Sequence, residues 1–342
     1  MANDILIPTT LPEFCNLFAT VELCEQYLIK VRWPNGFICP RCGGKKGYHI
    51  QKRATIECAI STCRYHASLT VGTVMHRSKQ DLRTWFWAAY LVTTFTPGIS
   101  GVQFQRQLGL SRYETAFNML HKLRAALVAP GRDQLHTEVE IDEAYIGGEE
   151  KGRQGRGVET KALVVCAIEL VRWVDDKGRA RIRTGRVRLR VVPDASAASL
   201  VPFVIQNVKK GAIVHTDGWP SYSTLRREGY DHKPLVQGKG EDAKYMPHVH
   251  RIFSNLKTWL LGTHHGAVQK KHLQAYLNEY TYRFNRRDWR GPAFIKALGL
   301  ATHVNDWPTY DRLYHTGEFN GWSHPDSHRI HLETTDAPES TG

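Results

Sequence analysis

The sequence predicts a mixed α/β protein built from a cysteine-bound metal ribbon, a helical segment and a strand-rich core. Three observations predict it. Four cysteines cluster at positions 39, 42, 58 and 63. Residues 78–130 carry apolar side chains at helical spacing, broken mainly at Pro97-Gly98 and Gly101. From residue 137 the texture changes to runs of strand-forming residues. The chain has 342 residues, and at roughly 100–200 residues per domain this makes two or three domains. The expected organisation is an N-terminal helical segment (1–36), a metal ribbon (37–75), a helical segment (76–132), an α/β core (135–292) and an extension (293–342) whose polar end is expected to be disordered. Lys and Arg number 46 against 33 Asp and Glu, a net +13 that favours a polyanionic partner such as nucleic acid. The longest apolar run, Trp85 to Val92, is eight residues, far short of the roughly 20 a membrane helix needs. The opening MANDILIP lacks a secretory pattern, so a cytoplasmic protein is expected. Seven cysteines in 342 residues, four of them clustered, argue against a secreted disulfide scaffold.

In the ribbon, Cys39 and Cys42 form a CPRC knuckle followed by Gly43-Gly44, and Cys58 and Cys63 form CAISTC. Four thiolates so spaced fit a closed tetrahedral Zn²⁺ site. The wider second pair leaves His66 open as a substitute ligand. Cys15, Cys24 and Cys166 have no such spacing and read as core residues. Lys45, Lys46, Lys52 and Arg53 lie between the knuckles, where they either reach DNA phosphates or form a solvated loop.

The next stretch, SKQDLRTWFWAAYLVTTF, reads as a helix capped by Ser78. Gly109-Leu110-Ser111 is a turn, and Ser111 with Glu114 forms a capping box for a second helix. Tyr113, Ala116, Phe117, Leu120, Leu123 and Leu127 make its apolar stripe, while Arg112, Thr115, Asn118, Lys122 and Arg124 fall mostly off it. This is a helix-turn-helix pattern, with Arg112, Thr115 and Lys122 as candidate DNA contacts. A plain helical hairpin has the same pattern.

The core opens with TEVEIDEAYIGG, in which Val139 and Ile141 share a face. A basic loop follows, with Arg153 and Arg156 as further candidate DNA contacts. Ala162 to Ile168 is a buried strand, Lys177-Gly178 a hairpin turn, and Arg186 to Val192 a third strand. Asp194 caps a helix running to about Val208, and Ala212 to Trp219 is a fourth strand with Asp217 at its end. Three strands, a helix and a further strand is the order of a ribonuclease-H-like sheet, in which the first and fourth strands are neighbours. Asp142 then lies near Asp217, a carboxylate pair that repels unless cations sit between them. Mg²⁺ suits such oxygen donors. Trp219 and Tyr222 read as packing for the following helix, with base stacking as the alternative. The seven basic residues between Lys177 and Arg190 form either a solvated hairpin or a phosphate track.

Taken together, the zinc ribbon, VEIDEAYIGG, VHTDGWPSY, FSNLKTWLLGTHHG and HLQAYLNEYTYRFNRR resemble the DDE transposases of bacterial insertion sequences with an N-terminal zinc ribbon, the ISXO2-like group. The resemblance runs from about Phe37 to Arg287. It implies a Mg²⁺-dependent enzyme that cuts and joins DNA, with Asp142 and Asp217 as its first two metal ligands. The third acid of that pattern is missing: no Asp or Glu occurs from Ala243 to Asn278. His250 lies seven residues before Lys257, the spacing that separates the third acid from a basic residue in such enzymes. Relatives with Asn as the third residue point instead to Asn255. A neutral third donor predicts a preference for Mn²⁺ over Mg²⁺. The expected partners are element ends and target DNA, with at least a dimer on DNA and association with the bacterial nucleoid. An inactive zinc-ribbon DNA-binding protein and a metal-dependent nuclease without joining are the alternatives. His264 and His265 either contact DNA or begin a loop.

Overall fold

The computed structural model describes residues 6–128, 131–147, 161–235, 246–265, 268–288, 290–302 and 310–315. Two short helices open the chain, α1 (Leu11–Leu17) and α2 (Val21–Arg32). Thr10 and Glu13 cap α1 reciprocally, and the Thr20 hydroxyl accepts from Leu23 N–H at the start of α2. The ribbon is a three-stranded antiparallel sheet, β1 (Gly47–Ile50), β2 (Thr55–Cys58) and β3 (His66–Ser68). Arg32 ties α2 to it by donating to the Ser68 and Leu69 carbonyls, both at 2.7 Å, and to that of Val71.

Three helices follow, α3 (Leu82–Thr94), α4 (Gly101–Gln107) and α5 (Tyr113–Ala126). Ser78 is not the cap of α3. Asp81 is, accepting from Thr84 N–H at 2.7 Å, while the Ser78 hydroxyl bonds the Trp85 indole. Nor does Ser111 cap α5, whose N-cap is Arg112 with no side-chain bond. The apolar stripe of α5 is wider than its pattern implied. From Met119 to Leu127 every residue is buried, including Lys122 and Arg124. Lys122 donates to the His76 carbonyl at 3.2 Å, so this candidate DNA contact is part of the interior. Arg124 pairs with Glu279 at 2.7 Å, with both side chains at most 2% exposed.

The large sheet has the order β6-β5-β4-β7-β8, formed by β4 (Glu138–Gly147), β5 (Lys161–Val174), β6 (Ala180–Val192), β7 (Ile213–Thr216) and β8 (Asp231–Pro234). The β4, β5 and β6 strands pair antiparallel, whereas β7 runs parallel to β4. Thus the first and fourth strands lie side by side, as their order predicts. Helix α6 (Ala197–Asn207) covers one face, where Val139, Ile141, Val165, Leu200, Phe203 and Val214 pack. It begins after Asp194, whose carboxylate accepts from Ser196 N–H and the Ser199 hydroxyl. Helices α7 (Pro247–His264) and α8 (Leu273–Phe284) cover the other face through Val249, Ile252, Leu256, Leu277 and Tyr280. Each such buried side chain stabilises the fold by about 1.5–3 kcal/mol.

Beyond Pro292 the mixed texture hides helix α9 (Arg290–Ala301), followed by α10 (Tyr310–His315). Phe294, Ala297 and Leu298 of α9 join the core of α1, α2, α3 and α5, against Phe14, Phe18 and Phe86. The polar end of the tail, 316–342, lies outside the described residues.

Candidate active site

Cys39, Cys42, Cys58 and Cys63 converge so that their sulfurs lie within 4.8 Å of one another. The knuckle closes by Gly43 N–H donating to the Cys39 carbonyl and Cys39 N–H to that of Gly44. Gly43 has φ 75°, a conformation glycine takes without strain. At Gly44 a Cβ would lie 2.7 Å from Ile60. The closed four-sulfur set leaves no vacancy for His66, which is exposed on β3. Burial opposes ionisation of the Cys39 thiol, but the N–H groups of Arg41 and Cys42 and the neighbouring thiols outweigh it and bring it down to about 7. Cys24 and Cys166 are buried as expected, whereas Cys15 is exposed.

The second constellation lies at the carboxyl end of β7. Glu140 of β4 pairs with His215 of β7 in parallel register, and two residues further along each chain come Asp142 and Asp217, close enough for the Asp217 charge to act on Asp142. Side chains alternate along a strand, so Glu138, Glu140 and Asp142 all face α7, opposite Val139 and Ile141. The first turn of α7 closes over them. His250 Nε2 reaches Asp142 Oδ2 at 3.2 Å, with Asp142 largely buried and His250 over half exposed.

Glu140 sets this geometry and was not visible as a site residue in the sequence. It is 4% exposed, and its Oε2 accepts from the His248 and Val249 N–H groups at 3.0 and 2.8 Å. A carboxylate at a helix N-terminus satisfies the orphan N–H groups and complements the helix dipole. The alternation of β4 was the available signal, since it gives Glu140 the same face as Asp142. Burial pushes the Asp142 carboxyl above its usual range, and the Asp217 charge adds to this; the Glu143 N–H and His250 oppose it. Asp217 accepts from Trp219 N–H at 2.9 Å, which fixes the turn after β7. Fully buried Tyr222 donates to Glu143 at 2.8 Å and packs below the site, whereas Trp219 remains 38% exposed.

Asn255 and Lys257 are exposed on α7. Asn255 is about 140° around the helix and 7.5 Å along it from His250. Among the described residues it makes no hydrogen bond to Asp142 or Asp217. Lys257 keeps nearly the angular position of His250, two turns further on. Arg112 is exposed and Thr115 half-buried at the start of α5; Arg153 and Arg156 lie outside the described residues. Three of the β6 arginines are engaged within the protein. Arg186 pairs with Glu169 at 2.9 Å, buried Arg188 donates to the Asp133 carbonyl, and Arg190 bonds Gln206.

Residues 134–285 match the ISXO2-like transposase domain, and residues 20–66 the transposase zinc-ribbon domain. The chain thus carries an ISXO2-like transposase domain behind a transposase zinc ribbon. It is similar to an uncharacterized protein in transposable element ISH50 of Halobacterium salinarum, 26% identical over 78% of this chain and 91% of that one. A second relative is an uncharacterized transposase-like protein of Haemophilus influenzae, 28% identical over 29% of this chain and 80% of that one. The ribbon match and the four-sulfur cluster support Zn²⁺ at Cys39, Cys42, Cys58 and Cys63 of this transposase. Asp142, Asp217 and His250 offer two carboxylates and an imidazole, with the Asp142 carboxylate destabilised by burial and by the Asp217 charge. Among the described residues only the cysteines gather three or more potential donors within 4.8 Å. Among the described residues no helix is long and apolar enough to cross a membrane.

Proposed function

We propose that this transposase cuts DNA at the ends of an insertion sequence and joins the freed 3′-OH to target DNA. The observation that supports this reading is the His250–Asp142 contact, with Asp217 close by beyond the end of β7, within residues that match a transposase domain. The strand order β6-β5-β4-β7-β8 supports a ribonuclease-H-like core. Asp142 and Asp217 would hold Mg²⁺ or Mn²⁺, which when bound supplies positive charge for the attacking and leaving oxygens of an in-line displacement.

His250 is the third active-site residue in this reading, because it contacts Asp142 and Asn255 does not. Its neutral nitrogen lowers the negative charge of the site relative to a three-carboxylate set and favours the softer Mn²⁺. Glu140 keeps the imidazole over Asp142 by holding the first turn of α7. Lys257 offers its ammonium to a DNA phosphate on the same edge of the helix. The zinc ribbon and the exposed start of α5, with Arg112 and Thr115, contribute DNA contacts, as do Arg153 and Arg156. Joining two ends to one target calls for at least a dimer on DNA. A cytoplasmic, nucleoid-associated location follows from that substrate.

The test is a joining assay with duplexes from the element's ends and a plasmid target. Wild type, Asp142→Asn and Asp217→Asn are compared under Mg²⁺ and Mn²⁺. Joined product from wild type alone, greater with Mn²⁺, is expected. Cut ends that never join would reassign the chain as a nuclease. Equal DNA binding by all three proteins with neither product would leave a DNA-binding remnant.

A further inference from the structure

A groove of about 750 Å³ opens where the helical segment meets the far end of α7. Helix α4 forms one wall and presents Gln103 and Arg106; Tyr113 adds an aromatic ring, and Thr263, His264 and Tyr276 form the other wall. The walls are held together. Arg283 of α8 donates to the Val92 and Pro97 carbonyls at 2.6 and 2.9 Å, and the Trp259 indole of α7 donates to Pro97 at 2.8 Å.

The chemistry of the groove is unlike a chance gap. Thr263 is only 6% exposed, yet its hydroxyl has no hydrogen-bond partner among the described residues, and neither has His264 Nε2. Buried polar atoms left unpaired are costly, and a ligand with complementary edges removes that cost. Burial, then the charges of Arg124 and His265, hold the His264 imidazole down to about 3, so it is neutral and offers one donor and one acceptor. No carboxylate lines the groove, and Arg106 has no ion pair among the described residues. Tyr113 is 42% exposed and presents a ring for stacking. A flat ring, amide-like edges and one cation match a nucleotide rather than a phosphate alone.

We propose that this groove takes one DNA base displaced from the duplex, stacked on a tyrosine and read at its edge by Gln103, Thr263 and His264. The inference rests on the reading of the chain as an enzyme acting on element ends. Helix α7 also gives the position. His264 follows His250 by 14 residues on the same helix, about 21 Å at 1.5 Å per residue. That is roughly six base steps of a 3.4 Å stack. The displaced base therefore lies about six nucleotides from the reacting phosphate.

The test uses the full chain bound to end duplexes that carry 5-iododeoxyuridine at one position at a time. After irradiation, adducts are mapped to peptides. Adducts on Tyr113, Tyr276 or His264 from positions near the sixth, and not from the rest, are expected. Tyr113→Ala should weaken end binding roughly ten-fold, the scale of one lost base–aromatic stack, with Tyr113→Phe restoring it. Bound and joined DNA without adducts on these residues, or adducts spread evenly along the duplex, would overturn the groove's role alone. Failure to bind end duplexes at all would overturn the enzyme reading and this inference with it.

Discussion

Asp142 and Asp217 differ from Glu140 in what their loss should do, although all three carboxylates share one side of the sheet. Either Asp→Asn change should lower joining by at least about 100-fold, the scale of losing one electrostatic stabiliser, with the melting temperature little changed. Glu140→Ala should lower joining through His250. It releases two N–H groups of α7, so the His248 and Val249 amides should exchange with solvent faster. Glu140→Gln keeps an oxygen acceptor and should restore most of the activity. If Glu140 acts by positioning His250, Glu140→Ala in a His250→Ala background should cost little more, which a double-mutant cycle of joining rates measures. The four cysteines and the two aspartates stood out in the sequence because local spacing and strand order mark them. Glu140 did not, because a glutamate on a strand signals nothing until a helix lands on it.

At the scale of elements, the ribbon and the sheet should respond to different agents. A chelator, or Cys42→Ser, should unfold the ribbon and speed amide exchange across 47–68, since such a small sheet depends on its metal. The β4–β5 amides should stay protected. The sheet has its own acid sensitivity. Glu169 of β5 is buried, which opposes ionisation, but Arg186 and the His136 N–H outweigh this and hold its carboxyl below the usual range. Its stabilising effect is present above the unfolded carboxylate pKa and is lost as pH falls through the depressed folded value. Glu169→Gln should therefore melt several degrees below wild type at pH 7, and the gap should narrow as pH falls below the ordinary carboxylate range. Melting curves across pH check this.

For the whole molecule, the joint between helical segment and sheet is the part to break. Arg124 of α5 and Glu279 of α8 form an ion pair buried on both sides. Removing one partner should cost about 3–5 kcal/mol, because the other charge is left buried. Arg124→Ala and Glu279→Ala should each lower the melting temperature, and the pair together should cost less than the sum. Charge at the same scale predicts that DNA affinity falls with salt, by roughly one log unit per log of salt for each phosphate contacted.

By itself the sequence determined the ribbon and the neighbouring of the first and fourth strands, because the one follows from knuckle spacing and the other from the order of strands and helix. Tertiary structure decided the rest. It took Lys122, a candidate DNA contact, and Arg124, placed off the apolar stripe, into the interior, because α5 is packed on several sides and long cations can be buried against carbonyls or a carboxylate. It brought α9 back to the N-terminal core, an attraction between apolar side chains nearly 300 residues apart that no local pattern encodes. It also chose His250 over Asn255 as the neighbour of Asp142, since only the landing of α7 on Glu140 fixes which face of that helix meets the sheet.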